Sequence, residues 1–149
     1  MWSTMTSGLV PRVMGLDVGE KRIGVALSDP LGMTAQALLT IETHGIKNDV
    51  ISVVSLAEKY RAVAIVCGLP RNMDGSIGFQ AQRVQDFCAL LEAEGLRIIY
   101  QDERLTTASA RHVLIEANVS RKKRKGVIDK MAAGYILQGF LDAGGLSKL

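Results

Sequence analysis

Apolar positions recur along the chain in two ways, as short unbroken or alternating runs and as longer stretches with helical spacing. "VMGLDV" (Val13 to Val18) and "RIGVALS" (Arg22 to Ser28) are β-rich runs separated by "GEK", the spacing of an antiparallel hairpin with Gly19 at its turn. A third run, "AQALLTI" from Ala35 to Ile41, follows Pro30 and Gly32. Val50, Val53, Val54 and Ala57 then recur at helical spacing and predict an amphipathic helix over Asn48 to Tyr60. "AVAIVCGLP", Ala62 to Pro70, is continuously apolar, as a central strand covered on both faces should be. Val84, Phe87, Cys88 and Leu91 fall on one face of a helix from Phe79 to Glu94 that stops at Gly95. A short strand "RIIYQDE" comes next, then a helix in "TTASARHVLIEA" capped by Thr106 or Thr107. A basic loop leads to a last helix, roughly Val127 to Ala143, which ends at "GG".

The predicted order is βββαβαβαα. Three strands in a meander followed by βαβ units give a mixed five-stranded sheet with helices on both faces, an α/β fold that suits the ribonuclease H-like architecture. The 149 residues suffice for one domain with a real core and are too few for two of ordinary size. Residues 1–11 are set apart, because "SGLVPR" has the letters of a protease site used to remove purification tags; the single domain is expected over 12–149. With aromatics at 5%, the core is expected to be aliphatic.

Charge changes the picture only locally. The net charge is a mild +3, yet "RKKRK", Arg121 to Lys125, concentrates five bases that would attract a polyanion. Cys67 and Cys88 lie far apart with no CxxC pattern, which predicts reduced core thiols and a cytoplasmic location. No apolar run approaches a membrane span, so no membrane partner is expected.

Ligands of such sheets gather at the carboxyl ends of the parallel strands, and three acids fall there. Asp17 lies on the first strand between Leu16 and Val18, whose side chains point to the other face. Glu103 closes the last strand. Asp129 precedes Ala132, Ala133, Ile136, Leu137 and Phe140 at i+3, i+4, i+7, i+8 and i+11, which puts it on the face of the final helix that packs on the sheet. Carboxylates on such a face are costly unless they are paired or bind a cation, and oxygen donors suit Mg²⁺ or Mn²⁺. His44 and His112 are isolated, so no His and Cys cluster competes for Zn²⁺. Taken singly, Asp129 also suits a helix-start acid favoured by the dipole, and Glu103 an ion pair with Arg104. Small residues at Ala132 and Ala133 would let the helix approach closely. Asp102 should point away from Glu103, and the ligand is expected to be Glu103.

Together, "GLDVGEKRIGVALSD", "VCGLPRNMDGS", "DERLTT" and "VIDKMAAGYIL" closely resemble the YqgF (RuvX) family of ribonuclease H-like nucleases, relatives of the RuvC junction resolvases, over essentially the whole chain from Val13. The resemblance implies a metal-dependent nuclease that matures the 5′ end of pre-16S ribosomal RNA, with resolution of Holliday junctions in branched DNA as the alternative. Its acidic site falls on Asp17, Glu103 and Asp129. The extra acid of some resolvases has no match, since Lys130 to Ala133 contain none.

The chemistry expected of this set is two-metal phosphodiester hydrolysis, with Asp17 shared between the ions and Glu103 and Asp129 each completing one coordination sphere. Lys21 and Arg22 beside the glycine turn suit a phosphate, though exposed bases in a plain turn have the same letters. Arg71 and Asn72, in the loop after the buried strand, are expected to contact substrate on the strength of the resemblance. Arg104 and the run Arg121, Lys122, Lys123, Arg124 and Lys125 complete the expected nucleic-acid surface. An RNA processor would meet its substrate on a pre-ribosomal particle, whereas a resolvase requires a homodimer for paired cuts. Two readings of another kind stand beside these: a non-catalytic RNA-binding assembly factor, and an actin-like ATPase hairpin, for which no second phosphate hairpin is evident.

Overall fold

The computed structural model describes residues 11–70, 74–102 and 121–149, with 121–130 described as helical backbone. Its elements are β1 (Arg12–Val18), β2 (Arg22–Ser28), β3 (Ala35–Glu42), α1 (Ile46–Lys59), β4 (Ala62–Leu69), α2 (Phe79–Ala93), β5 (Ile98–Asp102) and α3 (Arg121–Asp142), closed by a 3₁₀ turn at Gly145–Lys148. The strands form one sheet in the order β3-β2-β1-β4-β5. β1, β2 and β3 pair antiparallel, and β4 and β5 add to β1 in parallel. The meander and βαβ reading therefore holds, with β1 in the middle and β4 inside the sheet.

Alternation along the strands creates two cores. Met14, Leu16, Ile65 and Cys67 pack with Val53 of α1 and with Val84 and Leu91 of α2. On the other face, Val13, Ala26, Ala64 and Val66 pack beneath Ala133, Ile136, Leu137 and Phe140 of α3. Period-two alternation makes these sets exclusive, so one strand feeds both cores. Cys67 and Cys88 are buried thiols, as expected of core cysteines.

The end of α3 is tied to the start of β3 by one side chain. The Oε1 of Gln138 accepts the N–H of Ala35 at 2.9 Å, and its Nε2 donates to the carbonyl of Met33 at 3.0 Å. Ala35 pairs with Ser28, whose Oγ accepts the N–H of Val13 at 2.8 Å. The fully buried Ser28 thus has its polar atom satisfied.

One expectation is corrected. The basic run is not a loop before the final helix: α3 already spans Arg121 to Lys125, and the helix reaches Asp142. Lys and Arg are strong helix formers, and Gly126 costs only about 1 kcal/mol within a helix held by its packing. The helix expected over "TTASARHVLIEA" falls outside the described residues.

The closest approach of α3 to the sheet is at Gly15. A Cβ built there would lie 2.8 Å from the Ala133 carbonyl oxygen and 2.8 Å from the Leu137 Cβ. Gly15→Ala is expected to destabilise the fold by roughly 1–3 kcal/mol, through overpacking against helix backbone, and to lower the Tm by roughly 3–10 °C in a calorimetric scan. An unchanged Tm would show that α3 can lift without cost.

Candidate active site

Asp17 stands on the penultimate residue of β1, opposite Gly24 of β2. Its strand neighbours Leu16 and Val18 turn toward α1 and α2, so Asp17 shares the α3 face with Val13 and Gly15. It is half-buried, at the carboxyl end of the strand. Because β4 and β5 run parallel to β1, their carboxyl ends at Leu69 and Asp102 lie at this same edge of the sheet.

The course of α3 brings Asp129 toward the same edge. Gln138 anchors the helix over the amino end of β1, and Ala133 and Leu137 lie over Gly15. The helix therefore continues from Ala133 back toward the carboxyl end of β1. Asp129 is four residues before Ala133, about 6 Å along the helix axis, and Asp17 is two residues beyond Gly15, about 7 Å along the strand. Along the backbone, the two positions therefore lead in step toward the same edge of the sheet.

Glu103 directly follows the end of β5 and lies outside the described residues, as do Arg71, Asn72 and Arg104. Arg121, Lys122, Lys123, Arg124 and Lys125 occupy the first turns of α3, on the side of Asp129 away from Ala133. Lys21 is exposed in the hairpin turn, where the Gly19 N–H donates to the Arg22 carbonyl at 2.8 Å. A Cβ on Gly19 would sit 2.8 Å from that same oxygen, which explains the glycine. Beyond β4, the Asp74 Oδ1 accepts the Ser76 N–H at 2.9 Å and its hydroxyl at 2.6 Å, closing a tight turn.

Asp49 is a buried acid that sequence reasoning did not single out. It is 7% exposed, and its Oδ1 accepts the N–H of His44 at 3.0 Å. It lines a cleft of about 310 Å³ with Val18, Glu20, Thr43, Arg83 and Asp86. That cleft lies on the α1 and α2 side of the sheet, away from Asp17. The available signal was an acid in the first turn of a helix, where the dipole and an open N–H both favour it.

Among the described residues no three His, Cys, Asp or Glu side chains come together as a metal cluster. The described part of the donor set nonetheless fits a hard cation. Asp17 supplies carboxylate oxygens at a polar rim, while both thiols are sealed in the opposite core.

A mixed five-stranded sheet in this order, with helices on both faces, defines a ribonuclease H-like fold. Thermus thermophilus RuvC in complex with a Holliday junction substrate superposes with a TM-score of 0.58 at 13% identity, covering 91% of this chain and 96% of that one. The large terminase nuclease of phage G20c gives 0.52 at 13% identity, over 85% and 81% of the two chains. The chain belongs to the RuvX family, described as Holliday junction resolvase, whose model matches residues 11–143. Relatives named "Putative pre-16S rRNA nuclease" include one from Moorella thermoacetica, 54% identical over 132 residues, covering 88% of this chain and 94% of its own. Another, from Clostridium kluyveri, is 52% identical and covers 88% and 96%.

Mn²⁺ is expected to raise the melting temperature of the wild type. At ten times its Kd the linkage is worth about 1.4 kcal/mol. Asp17→Asn should abolish this increment in a thermal-shift titration; an equal increment in the variant would remove Asp17 from the metal site.

Proposed function

We propose that this protein is a metal-dependent nuclease that hydrolyses phosphodiester bonds in 5′-end processing of pre-16S ribosomal RNA, with Asp17, Glu103 and Asp129 as its catalytic carboxylates. The observation that supports the reading is the close approach of α3 to β1 at Gly15 and Ala133, from which the backbone positions of Asp17 and Asp129 both lead toward the carboxyl edge of the sheet. Relatives that bear the pre-16S nuclease name at about half identity, over nearly their whole length, support the RNA substrate.

Magnesium or manganese ions held by these acids would supply an activated water and charge stabilisation at the leaving oxygen. The protein's own part is positional. β1 holds Asp17 at the carboxyl edge of the sheet, and Asp129, on the helical backbone of α3, would join it there. Arg71, Asn72 and Arg104 lie in sequence beside the ends of β4 and β5, where a strand of substrate crossing the rim would meet them.

The run from Arg121 to Lys125 adds attraction without sequence reading, since phosphate contacts position a nucleic acid rather than specify it. The same bases lie at the positive end of the α3 dipole, an unfavourable position that a bound polyanion relieves. Arg or Lys to Gln changes at all five positions should flatten the dependence of log affinity on log salt, by about 0.7 in slope for each lost contact to single-stranded RNA. An unchanged slope would place the binding surface elsewhere.

A second reading, resolution of branched DNA, rests on the family description and on the fold shared with RuvC. It requires a homodimer to make paired cuts. No helix among the described residues is long and apolar enough to cross a membrane, and a pre-ribosomal particle in the cytoplasm is the setting that the RNA reading implies.

The deciding experiment compares a labelled pre-16S 5′-leader RNA and a four-way DNA junction, with Mn²⁺ and with chelator. Metal-dependent cutting of the RNA, lost in Asp17→Asn with its Tm in chelator unchanged or raised, is the expected result. Symmetrical cutting of the junction alone would favour the resolvase. Cutting of neither would leave an RNA-binding assembly factor as the reading.

A further inference from the structure

Among the described residues, one buried side-chain nitrogen has no hydrogen-bond partner: Nη1 of Arg22. Buried donors are almost always satisfied, so an orphan on a strand beside a catalytic rim calls for a cause. The ion pair with Glu42 does not provide it. That contact joins the Arg22 Nε to the Glu42 Oε1 at 3.9 Å, and the Glu42 side chain is 71% exposed. It is long and solvated, and it uses a different edge of the guanidinium.

The position of Arg22 suggests what the donor awaits. Ile23, Val25 and Leu27 enter the core beneath α1 and α2, whereas Ala26 enters the core beneath α3. Arg22 and Gly24 therefore share the α3 face with Asp17. Asp17 pairs with Gly24, which makes Arg22 its diagonal neighbour across the strands, roughly 7–8 Å away and within reach of a long side chain. Gly24 places no side chain between them. A quarter of the Arg22 side chain is exposed, 24%, so the guanidinium reaches the rim while Nη1 is covered.

We propose that Arg22 is a catalytic phosphate ligand: its guanidinium donates to a non-bridging oxygen of the scissile phosphodiester, and Asp17 on the neighbouring strand would hold the metal ion that faces the same phosphate. A guanidinium suits this task because its planar fork of donors matches phosphate oxygens and its charge does not titrate. Its role differs from that of the Arg121 to Lys125 run. A single covered donor at the reacting phosphate contributes most as negative charge grows during displacement, so it acts on rate more than on affinity. The catalytic consequence rests on the nuclease reading above; the phosphate contact does not.

The test uses Arg22→Gln and Arg22→Lys in the full chain, with a labelled leader RNA oligonucleotide. Single-turnover cleavage in Mn²⁺ should fall about 10²–10³-fold in Arg22→Gln. Kd in chelator, read by anisotropy, should change by less than about threefold, the signature of an interaction made in the transition state. Arg22→Lys should restore only a minor part of the rate, because an ammonium lacks the fork. The Tm should stay level or rise, since an unsatisfied buried donor has been removed. Equal losses of rate and affinity, an unaffected rate, or a rate loss matched by a fall in Tm would each overturn the proposal. In parallel, the Arg22 Nε–Hε NMR resonance, identified by its loss in Arg22→Gln, is followed as the RNA is added in chelator. If the wild type cuts nothing, the nuclease reading fails and this resonance alone decides. A shift on RNA binding sustains the phosphate contact, and no shift refutes it.

Discussion

The absence of a side chain at Gly15 is the constraint on which the rest of this architecture depends. Helix α3 rests its backbone at Ala133, and the Leu137 side chain, where a Cβ on the central strand would otherwise stand. Ala132 and Ala133 are fully buried, so small residues meet on both sides of the contact. Such an interface leaves little freedom to slide, because close-packed interiors resist changes of even one methylene. The Gln138 bonds to Ala35 and Met33 fix the helix at its other end. With two points held, the axial position of Asp129 relative to Asp17 follows from helix rise and strand rise alone.

The two faces of the sheet carry different burdens. Beneath α1 and α2 lies the larger aliphatic core, with Met14, Leu16, Ile65, Val84 and Leu91 sealed in it. Its burial is a main source of the fold's stability, since apolar area removed from water is the dominant favourable term. The α3 face is narrower and rich in glycine and alanine, and it therefore tolerates Asp17 and Arg22 at its edge. Had the register of β1 slipped by one residue, Asp17 would have entered the larger core unpaired. The hydrophobic pattern of β1 thus fixes which face can hold the acid.

Much of this was legible from the residue pattern, and what escaped it has identifiable physical causes. The strands could be read because each alternates or is wholly apolar, and the packed half of α3 because Ala132, Ala133, Ile136, Leu137 and Phe140 repeat at helical spacing. Its first turns could not, since "RKKRK" has no apolar period and its helicity comes from propensity and from continuity with the packed half. Asp49 escaped because its burial depends on a local bond to the His44 N–H rather than on any periodicity. The Gln138 clamp joins residues 103 positions apart, which no local window reports. Asp17 was legible as an acid in an apolar strand, and its orientation toward α3 follows from alternation. For Glu103, Arg71, Asn72 and Arg104 the reading remains that of the sequence and the family.

Charge placement around the rim follows the same economy of position. Exposed Lys21 offers a hydrated charge, of the kind that attracts a polyanion from a distance and loses force with salt. Arg22 is different in kind, because its Nη1 is covered and its backbone is held in a strand. Preorganised donors of this sort need not reorient when charge develops, which is why they favour a transition state over a ground state. Bringing that donor to the rim requires the hairpin turn to close tightly, and the Gly19 N–H bond to the Arg22 carbonyl closes it. The glycine of the turn and the arginine after it are therefore one device: the first fixes the backbone that carries the second, the diagonal neighbour of Asp17 across the strands.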